Sequence, residues 1–260
     1  MKRTSALAQE GRTYAEFEKQ LEAVAEQDLS FHMRQFEQPY RSTVALTNFI
    51  QRVASPVHGD ALDVGCGAGA LIHYLNRQIL GLRWTGVDIA GKVLFPKSRE
   101  FFERDRLDAR LLCGDFSRLE SVVDGARFDL VLCTQVVSYI AGYEDLLTQL
   151  ISVTRGWLFL SGLFTEFDVD ATIAANDYTW PEEVNGPYNY NVYGLPRFRS
   201  HCEKLGADRF LAEPFVIDID LPAPGHGGLG TYTRLDAEGA RMQFSGPIYL
   251  PWHFVAIHKS

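Results

Sequence analysis

Apolar positions in the first fifty-odd residues recur three and four apart. Tyr14, Phe17, Leu21 and Val24 form one series with charges between them. Val44, Leu46, Phe49 and Ile50 form a second, from about residue 40 to 53. Both predict amphipathic helices. Pro56 and Gly59 then break the chain, and from Asp60 the pattern changes. Residues 61–64, 84–88, 110–113, 128–133 and 157–161 read as strands. Between them run helices at about 69–79, through 101–103 and near 143–154. Pro96 is expected in the first turn of the second of these helices, where its missing N–H costs little. Strands alternating with helices predict an α/β fold with a parallel sheet covered on both faces.

Two segments interrupt the alternation. Residues 163–190 carry six acids and no Lys or Arg, together with Phe164, Phe167, Tyr178, Trp180, Tyr188 and Tyr190. Residues 221–250 are rich in Gly and Pro, and 231–235 and 241–244 read as two strands of a hairpin turning through Asp236-Ala237-Glu238-Gly239. A helix at 195–205, a strand at 210–217 and a last strand at 252–257 complete the reading. No repeat or linker divides the 260 residues, which are expected to form one domain. Its parts are a helical cap at 1–55, a core at 56–162, an acidic aromatic lid at 163–193 and the hairpin insertion at 221–250.

Composition narrows the class. Apolar residues at 46% and charged residues at 22% describe a globular chain with enough material for a core. The net charge of −8 opposes a nucleic-acid binder, which normally shows a basic excess. No run of 18 apolar residues suits a membrane span, and no apolar stretch follows the basic start as in a signal peptide. Cys66, Cys113, Cys133 and Cys202 form no C-x-x-C pair and are expected as reduced packing thiols in a cytoplasmic protein. The histidines show no metal-ligand spacing, so no metal is expected.

The chemistry concentrates in Leu62-Asp63-Val64-Gly65-Cys66-Gly67-Ala68-Gly69-Ala70. Glycines directly after a strand let the backbone turn and approach a ligand, and the following helix offers free N–H groups. Gly65-x-Gly67-x-x-Ala70, with Asp88 about 20 residues on, satisfies a dinucleotide fingerprint, which alone is a weak signal. Asp63, Gly65, Gly67 and Gly69 also complete D-x-G-x-G-x-G. In that pattern the chain resembles the class I S-adenosylmethionine-dependent methyltransferases of the small-molecule type. The resemblance continues through Gly86-Val87-Asp88-Ile89, Cys113-Gly114-Asp115-Phe116 and Phe128-Asp129-Leu130-Val131, and covers about residues 40–259.

That resemblance implies a doubly wound, Rossmann-like sheet of seven strands with the last antiparallel, N-terminal helices in front and the hairpin near the end. It implies that Asp88 holds the ribose hydroxyls of S-adenosylmethionine, that Asp115 meets the adenine amino group, and that Phe116 flanks the ring. Cys66, Ile89 and Cys133 count with the cofactor contacts by their place in these motifs, and Asp129 is expected to support the fold. Arg41, 22 residues before Asp63, is expected on a helix where it could meet the cofactor's carboxylate; the bland reading is a surface arginine. The expected activity is methyl transfer to an O or N atom of a small molecule such as a sugar, an amine or a secondary metabolite. An NAD(P)-linked oxidoreductase and a non-catalytic S-adenosylmethionine-binding regulator are the alternatives. His32, Tyr139 and His226 are the candidate bases. Tyr178, Trp180, Tyr190 and His226 are the candidate walls of an acceptor pocket covered by the lid and the hairpin. The oligomeric state is not legible; a homodimer is compatible with the sequence.

Overall fold

A computed structural model of the chain describes residues 14–27, 29–181 and 187–260. Three helices lead: α1 (Tyr14–Gln27), α2 (Leu29–Glu37) and α3 (Arg41–Ala54). The side chains of Tyr14, Phe17 and Leu21 lie outside the described residues, as do Glu182 and Glu183 of the acidic segment. The alternating part follows as β1 (Gly59–Val64), α4 (Ala70–Gln78), β2 (Leu82–Asp88), α5 (Gly91–Arg104), β3 (Ala109–Cys113), α6 (Leu119–Val122), β4 (Phe128–Thr134), α7 (Glu144–Val153) and β5 (Thr154–Thr165).

Beyond β5 come β6 (Ala174–Ala175), β7 (Tyr188–Asn189), β8 (Val192–Gly194), α8 (Leu195–Lys204), β9 (Arg209–Pro214), β10 (Thr231–Leu235), β11 (Arg241–Ser245), β12 (Ile248–Tyr249) and β13 (Trp252–His258). The main sheet runs β3-β2-β1-β4-β5-β13-β9. β1 to β5 pair in parallel, and β13 lies antiparallel between β5 and β9. The last strand is thus antiparallel, as expected. Short β8 adds an eighth strand, parallel to the far end of β5. β5 itself extends four residues past the expected end because Phe164 is buried in the core and its N–H donates to the Pro251 carbonyl.

Both faces of the sheet are covered. Val131, Cys133, Leu158 and Val255 pack with Leu146, Leu147, Leu150 and Phe198 of α7 and α8. Leu130, Leu132, Phe159 and Phe254 point the other way, into a core with Phe49 and Ile50 of α3, Leu75 of α4 and Leu94 of α5. This period-two division is what a strand buried on both faces requires. No helix among the described residues is long and apolar enough to cross a membrane.

Pro96 corrects one expectation: α5 begins at Gly91, so Pro96 sits inside the helix. The helix starts early because the Ala90 carbonyl accepts from Val93 and Leu94, while Asp88 Oδ1 accepts from the Ala90 N–H at 2.8 Å. The Lys92 carbonyl consequently has no N–H partner at position 96.

The expected hairpin forms, with Leu235 opposite Arg241 and Tyr232 opposite Phe244, and β12 makes it three-stranded. Asp236 Oδ1 accepts from the N–H groups of Glu238 and Ala240, and Gly239 takes φ 84°. The short helix α2 is fixed by side chains rather than length. Phe36 stacks on Phe101 at 4.4 Å, and Glu37 accepts from Arg104 at 2.8 Å. Arg104 also binds Asp105, which in turn pairs with buried His73 of α4.

Candidate functional site

The order β3-β2-β1-β4-β5 reverses direction between β1 and β4, and ligands of doubly wound sheets bind at that crevice. A cavity of about 410 Å³ opens there. Its floor is the glycine loop and the carboxyl ends of β1, β2 and β4; its cover comes from α1, α2 and α3.

The loop takes this shape because of its glycines. Gly65, Gly67 and Gly69 have φ of 75°, 55° and 85°, a region costly for other residues. A Cβ on Gly65 would come within 2.4 Å of Val136, and one on Gly69 within 2.8 Å of Phe102. Asp88 Oδ2 accepts from the Gly67 N–H at 2.8 Å and so ties the loop to the end of β2. Asp88 thus has a structural part at the end of β2, and its carboxylate still lines the cavity. Burial pushes its carboxyl up to about 6, against the two backbone N–H groups it accepts.

Asp63 stands apart from the other acids among the described residues. Its side chain is fully buried, lines the cavity and has no hydrogen-bond partner on either oxygen. Burial, and then the nearby Asp88, push its carboxyl up to about 8. An unpaired buried carboxylate is costly, and a cation placed beside it would relieve that cost. Asp115 also lines the cavity and doubles as a cap: its oxygens accept from the Ser117 N–H, at 2.9 Å, and from the Ser117 hydroxyl. Gly65, Cys66, Gly67, Ile89 and Phe116 complete the expected positions that line the cavity.

Two expected cofactor contacts do not reach it. Arg41 is half exposed, with Nε 3.3 Å from Asp218, because Ser42, Thr43 and Leu46 take the cavity-facing side of α3. Cys133 is fully buried in the core beneath α7, because alternation along β4 turns it away from Leu132 and the cover.

The acceptor-wall expectation is corrected too. Tyr178 is 83% exposed, Trp180 is partly exposed, and neither lines the cavity. His226 is exposed and accepts from the Gly228 N–H through Nδ1 at 3.0 Å. The described residues of 163–193 and 221–250 pack on each other. Asp177 accepts from Thr179 and from the Leu229 N–H, and Tyr190, Leu163, Leu250 and Trp252 form a small core of their own. Tyr190 stands one layer behind the wall: its hydroxyl bonds Ser245 at 3.2 Å and its ring meets Tyr139 at 5.4 Å.

Of the candidate bases, His32 and Tyr139 line the cavity. His32 Nδ1 lies 3.3 Å from where a Cβ on Gly67 would sit. Burial lowers the His32 pKa, whereas burial and Tyr190 raise that of Tyr139.

Sequence reasoning missed Gln35, Tyr40 and the Thr134-Gln135-Val136 turn after β4, all of which line the cavity. Gln135 is non-glycine at φ 57°, held by its N–H to the Ser161 carbonyl and hydroxyl at 3.1 and 3.0 Å. Such an outlier at a strand end often marks a functional turn. Its position directly after an apolar strand was the available signal.

Comparison with known proteins agrees with this arrangement. Residues 61–156 match a family described as a methyltransferase domain. A ubiquinone biosynthesis O-methyltransferase of Chromobacterium violaceum is 31% identical over 119 residues, covering 45% of this chain and 49% of that protein. The chain thus spans about half the length of this curated relative. Among solved structures, the 1,6-didemethyltoxoflavin-N1-methyltransferase of Burkholderia thailandensis, with S-adenosylhomocysteine bound, has a TM-score of 0.59 at 15% identity, over 97% of this chain and 93% of that one. The magnesium protoporphyrin IX methyltransferase of Synechocystis PCC 6803 gives 0.50 at 12% identity, over 98% and 91%.

Proposed function

We propose that this chain is a class I S-adenosylmethionine-dependent methyltransferase, which binds S-adenosylmethionine in the cavity at the β1–β4 crevice and transfers its methyl group to an O or N atom of a small molecule. The observation that carries this reading is the Asp63 carboxyl, buried, unpartnered and lining the cavity beside three left-handed glycines. A ligand with a free ammonium group would supply the charge Asp63 lacks. A diphosphate would not: no Lys or Arg stands among the described lining residues, and three acids do.

Asp88 and Asp115 keep acceptor capacity toward the cavity, for the ribose hydroxyls and the adenine amino group respectively. When bound, S-adenosylmethionine supplies a methyl group already activated on a sulfonium, so the protein's task is to position the acceptor and take its proton. His32 suits that second task. Its lowered pKa keeps the imidazole neutral at pH 7, and no hydrogen bond among the described residues occupies its ring nitrogens. Tyr139, held as a phenol by burial, suits a wall.

Calorimetry against S-adenosylmethionine and NADH tests the reading. Saturable binding of the first and none of the second is expected. The reverse pattern would overturn the proposal in favour of an oxidoreductase. Binding with no methyl transfer to any acceptor would favour a regulator.

A further inference from the structure

We infer that the methyl acceptor is a flat aromatic molecule, neutral or cationic, rather than an anion or a saccharide; this rests on the cofactor reading above. With the glycine loop, Asp88, Asp115 and their neighbours given to the cofactor, the remaining lining comes from two sources. The helical cover contributes Phe31, Leu46 and, between α2 and α3, Tyr40, beside Val24 and Ala25 of α1; the ends of β4, β5 and β13 with the turn after β4 contribute Tyr139, Phe254 and neutral polar groups. Leu46 and Phe254 are buried in the core, and Phe31, though partly exposed, has ring neighbours. Phe31 and Tyr40 pack ring on ring at 5.4 Å, and Tyr139 is backed edge-on by Tyr190, itself tied to Ser245. Rings fixed in this way favour another ring in an offset or edge-on arrangement.

Charge argues in the same direction. The polar groups left on this side, Gln35, Ser42, Thr43, Thr134, Gln135 and Ser161 with His32 and the Tyr40 and Tyr139 hydroxyls, include no Lys, Arg, Asp or Glu. The nearest expected cation, Arg41, is engaged with Asp218 outside the cavity. An acceptor carrying a carboxylate or phosphate would be desolvated in a cavity whose described lining offers it no Lys or Arg. A saccharide carries hydroxyls around its whole rim, and those turned toward Phe31, Leu46 and Phe254 would go unmatched, each at a cost in free energy. A ring with one or two hydroxyl or amino groups matches the walls and leaves few polar groups against them.

The test uses the full-length protein saturated with S-adenosylhomocysteine, whose binding is measured first; failure at that step would refute the cofactor reading and not this one. Ligand-observed NMR then ranks matched probes: phenol and aniline derivatives, the same rings bearing a carboxylate or phosphate, and monosaccharides. The neutral rings are expected to bind at least tenfold more tightly than their anionic counterparts and than any monosaccharide. Thr43→Lys, in protein still saturated with S-adenosylhomocysteine, is expected to shrink the gap to the anionic rings at least threefold. Anionic rings or saccharides binding as well as neutral rings would overturn the inference, as would a screen in which no neutral ring binds.

Discussion

Asp63 and Asp177 are both buried aspartates, yet the protein treats them oppositely. Asp177 has its oxygens occupied: Oδ1 accepts from the Thr179 N–H and hydroxyl, and Oδ2 from the Leu229 N–H at 2.6 Å. Burial alone would raise its pKa, but those hydrogen bonds outweigh burial and hold the carboxyl below its usual range. Asp63 has no hydrogen-bond partner, and its carboxyl rises to about 8. A buried acid with every lone pair used is structural, whereas one left with none used is waiting for a ligand. The contrast separates the glycine loop from the acidic insertion more sharply than composition does, since both regions carry acids and aromatics.

The largest effect is expected where the loop has least room. Gly67→Val places a branched side chain at φ 55° against His32, and should weaken S-adenosylmethionine binding at least a hundredfold, about 2.7 kcal/mol, while circular dichroism shows the fold intact. Retained affinity would mean that the cofactor does not lie against the loop. Asp88→Ala removes a buried acceptor and the tie to Gly67, and should cost at least tenfold in the same calorimetric titration.

The insertion side should respond in stability instead. Asp177→Ala strands the Leu229 N–H and should destabilise the protein by about 1–3 kcal/mol in urea unfolding, with cofactor affinity changed less than twofold. The two aspartates should also impose opposite pH slopes. The folded pKa of Asp177 is depressed, so its contribution is present above its unfolded pKa and fades as the solution is acidified through the folded value. That of Asp63 is raised to about 8, so ligand-free protein binds an extra proton between about pH 4 and 8 and loses stability as pH rises through that window, by at most about 1.4 kcal/mol per unit. Asp63→Asn should flatten that slope, and an unchanged slope would contradict the assignment. The smallest effects belong to Tyr178→Ala and His226→Ala, each expected within twofold of wild type in cofactor affinity and turnover.

What was legible in the sequence follows from what is local. The strand-glycine-helix passage sets Asp63, Gly65 and Gly67 within five residues, and alternation of strands and helices carries Asp88 and Asp115 to neighbouring strand ends, so their shared place could be read from order alone. Residues whose place depends on a distant partner could not be read. Arg41 is drawn aside by Asp218, and Tyr190 is pulled into a second core by Ser245. The aromatics after β5 had the right residue types for a pocket wall, but the hairpin competes for them, and nothing in local spacing reveals that competition. The cover that does close the cavity comes from α2, a nine-residue helix fixed by Glu37 on Arg104 and Phe36 on Phe101, contacts some 65 residues apart in the chain. Cys133 was a matter of phase: one step along β4 separates the two faces of the sheet.

The most direct test of the account is the proton count on cofactor binding. S-adenosylmethionine is titrated by calorimetry at pH 7 in two buffers of different ionisation heat, into wild type and Asp63→Asn. With a ligand-free carboxyl near 8, pairing with the cofactor's ammonium should expel most of one proton in wild type and almost none in the variant. Equal proton release from both proteins, or none from either, would contradict the claim that Asp63 is the group the cofactor neutralises.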